Sequence, residues 1–207
     1  MKPVINFETD RMYARSVVES DRDKIMALRM DVSDLSTLYK RREDLQEIEW
    51  DDTLNSDNNI SLAVFLKKDN SFVACSSFQG FRKDTIELGC DVVKEYRNQG
   101  LATELTKGMI LTAESLFSAK SIIIKTSKEN EASKRVAEKC RGVLIGTEPS
   151  WFAQGLERLM KSLGETDYPD EAWAKEKEEA LEIIESGKDG VYIYKIDVAA
   201  NRQPKRI

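Results

Sequence analysis

The sequence contains no histidine among its 207 residues. This absence excludes the Ser-His-Asp and Cys-His arrangements of nucleophilic catalysis, because both need an imidazole as the base. It also excludes zinc sites that depend on imidazole ligands. Cysteine is scarce as well. Cys75, Cys90 and Cys140 have no CxxC spacing and are odd in number, so we expect buried thiols rather than disulfides.

Long apolar runs and an excess of positive charge are also missing. No segment approaches the roughly 20 apolar residues that cross a bilayer, and the first ten residues contain no secretory apolar region. We therefore expect a cytoplasmic protein that does not bind a membrane. The formal net charge of −5 gives no general attraction to DNA or RNA, so no nucleic-acid partner is predicted.

What is present fits a folded domain. Hydrophobic residues make up 41% of the chain and charged residues 33%, which argues against wholesale disorder. A chain of this length can bury one substantial core. We expect a single domain over residues 1–207, interrupted by one insertion.

The hydrophobic pattern alternates between the strand period and the helix period along the chain. The first half begins with a strand at Met12–Ser20, a helix from Ser20, a second helix over Arg41–Trp50 and a loop over Asp51–Asn59. The elements expected after this loop are strands at Ile60–Lys67, Ser71–Gly80 and Thr85–Val93, a helix after Gly100, a strand at Ser121–Ser127, a helix at Asn130–Cys140, and strands at Gly142–Thr147 and Gly190–Val198. A charge-dense helical insertion at about 149–190 precedes the last strand. This order predicts a mixed α+β fold whose central, mostly antiparallel sheet is flanked by helices.

The segment "TIELGCDVV" alternates as a strand does. Its two faces carry Ile86, Leu88, Cys90 and Val92 on one side and Glu87, Gly89 and Asp91 on the other. The segment "EYRNQGLATEL" (Glu95–Leu105) then leads into a helix. Amides at a helix N-terminus lack intrahelical partners and attract anions. Gly100 allows close backbone approach, and Arg97 adds a charge-assisted donor.

These properties of the turn predict a phosphate or pyrophosphate site. The turn has neither the Gly-Lys-Ser/Thr ending of a Walker A loop nor the three glycines of a dinucleotide fingerprint. On this segment alone, an ordinary strand–helix turn remains an equal alternative.

Two motifs carry a resemblance to a known family. The spacing Arg97-x-x-Gly100-x-Ala102 resembles the acetyl-CoA motif of the GNAT superfamily of N-acyltransferases. The segment "NEASKRVAEK" (Asn130–Lys139) resembles the second motif of that superfamily, in a form most similar to the branch of ribosomal-protein-alanine N-acetyltransferases. The order of elements also matches the GNAT layout, apart from the insertion.

The resemblance implies a GNAT fold and transfer of an acetyl group from acetyl-CoA to a primary amine by direct attack, without a metal. The amine would belong to a protein N-terminus or to a small molecule. It further implies that the backbone of Cys90, Asp91 and Val92 pairs with the pantetheine arm of acetyl-CoA. The amides implied for the pyrophosphate are those of Arg97, Asn98, Gln99, Gly100, Leu101, Ala102 and Thr103.

The second motif implies that Asn130 contacts the pantetheine region, with Ser133 and Arg135 nearby. The chain departs from the family pattern at two positions. Many members carry a tyrosine, taken as the acid that protonates the leaving thiolate, where this chain has Ala137. Arg141 stands where the family usually continues directly to a glycine. A non-catalytic acyl-CoA-binding or interaction module is therefore the alternative to an enzyme.

An acceptor amine must lose a proton before or during attack on the thioester. Glu87 is the first candidate for the base, because its strand leads to the expected thioester site, and Asp91 is the second. Tyr192 and Tyr194, which share one face of the last strand, could supply a hydroxyl near the acceptor, although both are more often ordinary strand aromatics. Leu35, Tyr39 and Trp50 could shape the acceptor pocket or belong to the core. Three roles stay open for the insertion: a lid, a homodimer contact or a solvated decoration.

Overall fold

The structure is a computed structural model that describes residues 3–32, 43–150 and 190–201, with isolated positions at 153, 157, 178, 180–182, 184 and 185. Within these residues the chain forms eight strands and four α-helices. The strands are β1 (Asn6–Glu8), β2 (Met12–Ser16), β3 (Asn59–Leu66), β4 (Phe72–Arg82), β5 (Thr85–Val92), β6 (Ser121–Ser127), β7 (Val143–Glu148) and β8 (Val191–Asp197). The helices are α1 (Arg22–Val32), α2 (Glu43–Asn55), α3 (Leu101–Phe117) and α4 (Glu131–Lys139).

All eight strands join one sheet in the order β1-β2-β3-β4-β5-β6-β8-β7. Every neighbouring pair is antiparallel except β5 and β6, which are parallel. The predicted fold class, a mostly antiparallel sheet flanked by helices, is therefore confirmed.

Each face of the sheet buries its own apolar cluster. The larger cluster lies beneath α3 and α4 and includes Phe78, Leu105 and Met109, all essentially inaccessible to solvent. Burying each such side chain stabilises the fold by about 1.5–3 kcal/mol. The smaller cluster joins α1 and α2 to the opposite face, through Ile25 and Trp50 among others. Trp50 is thus a core residue, and its Nε1 donates to Glu19 Oε1 at 3.1 Å.

The first half of the chain differs from the sequence prediction in two places. β2 ends at Ser16, and a short 3-10 helix over Glu19–Asp21 precedes α1. The loop predicted over Asp51–Asn59 is wrong in its first part, because α2 continues through Asn55. Thr53 is buried and Leu54 packs against the smaller cluster. This tertiary packing outweighs the loop-like composition.

The short strand β1 was not predicted, and it explains a glycine inside α3. A Cβ atom at Gly108 would lie 2.8 Å from Phe7 Cε2 and 2.9 Å from Thr9 Cγ2. Gly108 therefore leaves room for β1 and the following turn to pack directly on the helix. This contact offsets the roughly 1 kcal/mol that glycine costs in a helix.

Little of the predicted insertion lies within the described residues. Ala180 and Ile184 are buried, whereas Leu181 is half-exposed. This pattern is that of a helix with one buried face. Most of the predicted 149–190 segment lies outside the described residues, as do Leu35 and Tyr39.

Candidate functional site

The sheet opens between its two parallel strands. The register of β5 with β6 covers three pairs and stops at Glu87 and Ile123, although the strands continue to Val92 and Ser127. The other edge of β5 remains paired with β4 as far as Val92. The backbone of Cys90–Val92 therefore borders the opening, where an extended ligand can pair like an additional strand.

The predicted anion-binding turn lies directly after this opening. A short 3-10 helix at Lys94–Tyr96 leads to Gly100, the N-cap of α3, which adopts a left-handed φ of 78°. Asn98 is also left-handed, with a φ of 61°. The amides of the first turn of α3 have no carbonyl partner within the helix, so they are available to an anion together with the positive end of the helix dipole.

A residue not predicted from the sequence holds this turn in place. Arg11 Nη1 donates to the Gln99 carbonyl at 3.0 Å, and Arg11 Nε donates to Glu104 Oε2 at 2.6 Å. Thr9 Oγ1 also donates to Glu104, at 2.6 Å. Burial alone would raise the pKa of Glu104, but the bonds from Thr9 and Arg11 outweigh it and hold that pKa below its usual value. The turn is thus anchored to the β1–β2 connection.

The second motif forms α4, close to the same end of the sheet. Asn130 is its N-cap, and Asn130 Oδ1 accepts a hydrogen bond from the Ser133 backbone amide at 3.0 Å. Ser133 is partly buried and Arg135 is exposed. Ala137 is fully buried in the larger core cluster, so the position that departs from the family pattern is a packing position here.

The extra residue after α4 is accommodated in the turn that follows. Arg141 adopts a left-handed φ of 61°. The amide of Gly142 then donates to the Ala137 carbonyl at 2.8 Å. A Cβ atom at Gly142 would lie 2.8 Å from that same carbonyl oxygen, which explains why glycine follows the extra residue.

Glu87 is held by polar partners on both neighbouring strands. Its Oε1 accepts from Gln79 Nε2 of β4 at 3.1 Å, and its Oε2 lies 3.0 Å from Lys125 Nζ of β6. Lys125 Nζ also lies 2.5 Å from Glu148 Oε1. Burial lowers the pKa of Lys125, but its bonds to Glu148 and Glu87 outweigh this effect and raise the pKa above its usual value. The group therefore remains an ammonium ion.

Asp91 lies on the same face of β5 as Glu87 and is paired with a helix. Arg29 of α1 forms an ion pair with Asp91 and also approaches Glu49 of α2. This network connects both helices to the strand that borders the opening. The two carboxylates proposed as bases thus share one face, and each is paired with a cation.

Tyr192 lies on the opposite face of the sheet. It pairs in register with Thr126, while Lys125 pairs with Ile193. Residues directly opposite in a strand pair share a face. The Tyr192 ring packs against the larger cluster, with Lys134 Nζ at 5.6 Å from its centroid. The structure therefore places Glu87 and Asp91 on one face of β5, each with its own partners, and places Tyr192 on the opposite, α4 side.

The three cysteines are free thiols. Burial raises the pKa of Cys75 and of Cys140 to about 11. Burial also raises the pKa of Cys90, well above its usual value. These thiols are therefore neutral near pH 7, and Cys90 would contribute its backbone rather than a thiolate.

Two features are absent from the part of the chain that the structure describes. No described group of three or more cysteine, aspartate or glutamate side chains is arranged to hold a metal ion. No described helix is both long and apolar enough to cross a membrane.

Comparison with known proteins points to one family. A family model described as an acetyltransferase (GNAT) domain matches residues 9–143. No curated protein matches the chain in sequence. Among solved structures, an acetyltransferase of the GNAT family from Bacillus anthracis is similar with a TM-score of 0.65 at 16% identity, covering 94% of this chain and 99% of that chain.

Two further structures resemble the chain over nearly its whole length. RimL, a ribosomal L7/L12 alpha-N-protein acetyltransferase in complex with coenzyme A, gives a TM-score of 0.64 at 13% identity, covering 96% of this chain and 99% of its own. The spermidine N-acetyltransferase from Vibrio cholerae in complex with CoA and spermine gives a TM-score of 0.61 at 12% identity, covering 92% of this chain and 98% of its own. At these identities the likeness shows the fold alone.

Proposed function

The chain belongs to the GNAT acetyltransferase family, and we propose that it transfers the acetyl group of acetyl-CoA directly to a primary amine, either on a protein N-terminus or on a small molecule. The observation that carries this proposal is the opening between β5 and β6. Its inner end holds Glu87, and its outer end leads through Val92 into the turn at Gly100. An extended thioester ligand with a pyrophosphate beyond its pantetheine arm fits this spatial order.

The donor would bind mainly through the backbone. The peptide groups of Cys90–Val92 pair with the amides of pantetheine, and the amides of 98–103 receive the pyrophosphate. The Arg97 amide already donates to the Lys94 carbonyl at 3.2 Å, so Arg97 would contribute its side chain instead. The side chain of Asn130 already caps α4, with its oxygen directed at the Ser133 amide. Its amide nitrogen is the atom that suits a carbonyl of the pantetheine arm.

The chemistry requires one proton acceptor on the acceptor face of β5. The amine nitrogen attacks the thioester carbon, the carbon–sulfur bond breaks, and the amine proton passes to Glu87, directly or through a water. The thiolate of CoA leaves and takes up a proton from water, and Glu87 then releases the proton it received to solvent, so the net products are the amide and the thiol of CoA. Asp91 is the alternative acceptor. Tyr192 lies on the α4 side of the sheet, so any role it has would be on the donor side.

The surroundings of the site suggest where the acceptor enters. α1 and α2 pack on the face that carries Glu87 and Asp91, so the amine would approach between these helices and β5. Both amine classes have a representative among similar folds, since RimL acts on a ribosomal protein and the Vibrio cholerae enzyme is a spermidine N-acetyltransferase. We keep both classes for this chain.

Three further proposals concern the domain organisation, the cellular location and the insertion. The single eight-stranded sheet supports one domain over residues 1–207. The free thiols Cys75, Cys90 and Cys140 suit the reducing cytoplasm. A homodimer remains one of the roles proposed for the 149–190 insertion.

A two-part experiment tests the proposed function. Purified protein is incubated with acetyl-CoA and a panel of N-terminal peptides, polyamines and simple primary amines, and acetylated products are identified by mass spectrometry. In parallel, melting temperature is measured with and without acetyl-CoA, since a ligand selective for the native state must raise it. Product with one amine class supports the enzyme. Stabilisation without product from any amine supports the non-catalytic acyl-CoA-binding module, and absence of both effects refutes the donor site.

A further inference from the structure

Strand β6 contains one charged side chain in an otherwise apolar or small-residue run, "SIIIKTS". That residue, Lys125, is only 21% exposed in its side chain. Removing an ammonium ion from water is costly unless it is paired and hydrogen-bonded. A lysine at this position therefore requires an explanation in terms of its partners.

Lys125 is bound by carboxylates from two other strands, β5 next to it and β7 beyond β8. Its Nζ lies 3.0 Å from Glu87 Oε2 of β5 and 2.5 Å from Glu148 Oε1 of β7. The Glu87 side chain is 16% exposed and that of Glu148 is 36% exposed. The pair of Lys125 and Glu87 is thus shielded from water. Charge interactions are stronger in such surroundings than at the exposed surface.

The position of Lys125 relative to the opening is specific. The register of β5 with β6 ends at Ile123, and Lys125 is the next residue of β6 on the same face. Its ammonium therefore occupies the point where the two strands begin to separate. Glu87 is the last paired residue of β5, so the two side chains meet at the inner end of the site.

We propose that Lys125 is a positioning residue for acetyl transfer, whose ammonium orients the Glu87 carboxylate at the inner end of the opening between β5 and β6. This inference rests on the proposed function, in which Glu87 accepts the amine proton. Gln79 fixes the other oxygen of Glu87 at 3.1 Å. Without Lys125, that single neutral hydrogen bond would remain, and the carboxylate would lose both its orientation and its counter-ion.

Other charged side chains lie on the same face of the sheet as Lys125 and Glu87. On the same face, Asp91 lies further along β5 and is paired with Arg29 from α1. Lys195 of β8 lies opposite Ile123 and is exposed. Glu148 shares Lys125 with Glu87. Removing Lys125 would take away the cation that both carboxylates share and leave them as like charges with no cation between them.

The test compares Lys125→Met with Lys125→Arg and with a matched control, Lys120→Met. Lys120 immediately precedes the same strand and pairs with Asp84 at 3.6 Å, but its side chain is 79% exposed. The control thus removes the same charge from the residue just before that strand without touching the opening. The readouts are kcat/KM as a function of pH, and the rise in melting temperature caused by acetyl-CoA.

For Lys125→Met we expect kcat/KM at pH 7 to fall by about tenfold or more, and the acidic limb of its pH profile to move upward by about one pH unit or more. Lys125→Arg keeps the charge and should restore the wild-type limb. Lys120→Met should match the wild type. Stabilisation by acetyl-CoA should be retained in all three. If the methionine variant does not fold, Lys125→Gln removes the charge while keeping a donor and gives the same readout.

The outcomes separate this inference from the function on which it rests. An unshifted acidic limb in a folded, active Lys125→Met or Lys125→Gln protein overturns the positioning role alone. A wild-type protein without turnover on any amine overturns the proposed function and this inference with it. A shift of equal size in Lys120→Met would show that the effect is general electrostatics, which also overturns the inference.

Discussion

The Nη2 atom of Arg97 lies 2.8 Å from the Oδ2 atom of Asp31. The Nε atom of the same guanidinium donates to the Val92 carbonyl at 2.9 Å. Arg97 therefore connects the end of β5 with the last turn of α1, next to the proposed pyrophosphate site. Because a carboxylate and a phosphate suit the same guanidinium donors, Asp31 and the cofactor would compete for Arg97.

This competition predicts that Asp31→Asn tightens the binding of acetyl-CoA. Both side chains of the pair are partly exposed, at 40% and 44%, so the pair contributes at most about 1 kcal/mol. Releasing Arg97 should therefore lower the Kd by up to about fivefold. Isothermal titration calorimetry at low salt would measure the Kd of acetyl-CoA for both proteins. Unchanged or weaker binding would show that the Arg97 side chain does not contact the phosphates, leaving only backbone amides in that role.

The backbone of the turn gives a second prediction, at Gly100. Its φ of 78° would strain a β-branched residue, whereas asparagine tolerates the left-handed region. Gly100→Asn should therefore fold, yet its side chain would enter the space of the anion. We expect it to abolish most of the rise in melting temperature caused by acetyl-CoA.

Ser118→Asn is the matched control for Gly100→Asn. Ser118 is an exposed residue with a φ of 55° at the other end of α3, so this variant places asparagine in the same conformation away from the turn. It should keep the full response to acetyl-CoA. A folded Gly100→Asn protein that responds as the control does would remove the pyrophosphate site from this turn.

The sequence carried enough local information to predict much of the fold. Strands β3 to β6 and helix α3 have strong periodicity because each buries a complete face, and they were predicted within a few residues. β1 has three residues and depends on its contact with Gly108 of α3. That contact is long-range and leaves no periodic signal. The extension of α2 through Asn55 likewise depends on packing rather than composition.

The same distinction applies to the site. The turn at Gly100 has a local signature, since its function lies in consecutive amides and one glycine. The partners of Glu87 do not, because Gln79 and Lys125 lie on two other strands, and Glu148, which also binds Lys125, lies on a third. Only the sheet register brings them together. The one signal in the sequence for these partners was the lysine within "SIIIKTS", because a charged side chain in a strand that is otherwise apolar or small is costly to bury unless it is paired.

The two carboxylates on β5 give a third prediction, in which Glu87→Gln and Asp91→Asn have different effects. Glu87→Gln keeps the shape of the side chain but removes its basicity, so kcat should fall by a factor of about 10² to 10⁴. Asp91 is paired with Arg29 of α1, and Asp91→Asn should mainly loosen that helix and raise the KM of the acceptor. Steady-state kinetics at saturating acetyl-CoA separates kcat from KM. The reverse ranking would assign the base to Asp91, and wild-type kcat in both variants would exclude both residues.

The final prediction concerns an ion pair between Arg15 and the buried carboxylate of Asp21, just before α1. Arg15 of β2 binds Asp21 through both nitrogens, at 2.6 and 2.8 Å, and Asp21 also accepts from the Val18 amide at 3.0 Å. Burial would raise the pKa of Asp21, but the bonds from Arg15 and Val18 outweigh it and lower that pKa. A carboxyl group whose pKa is lowered on folding stabilises the protein above its unfolded pKa of about 3.9, and this stabilisation is lost as pH falls through the folded pKa.

The two halves of this pair are not equivalent, because the side chain of Asp21 is 1% exposed and that of Arg15 is 35% exposed. Arg15→Met leaves an uncompensated buried carboxylate and should cost about 3 kcal/mol at pH 7. Asp21→Asn leaves an arginine that reaches water, so about 1–2 kcal/mol is expected. Urea unfolding measures the free energy of unfolding of both variants. The deficit of Arg15→Met relative to the wild type should also shrink below about pH 4, as the carboxylate takes up a proton. If Asp21→Asn proved the more damaging change, or if the deficit of Arg15→Met were independent of pH, the buried charge would not be what makes this pair necessary.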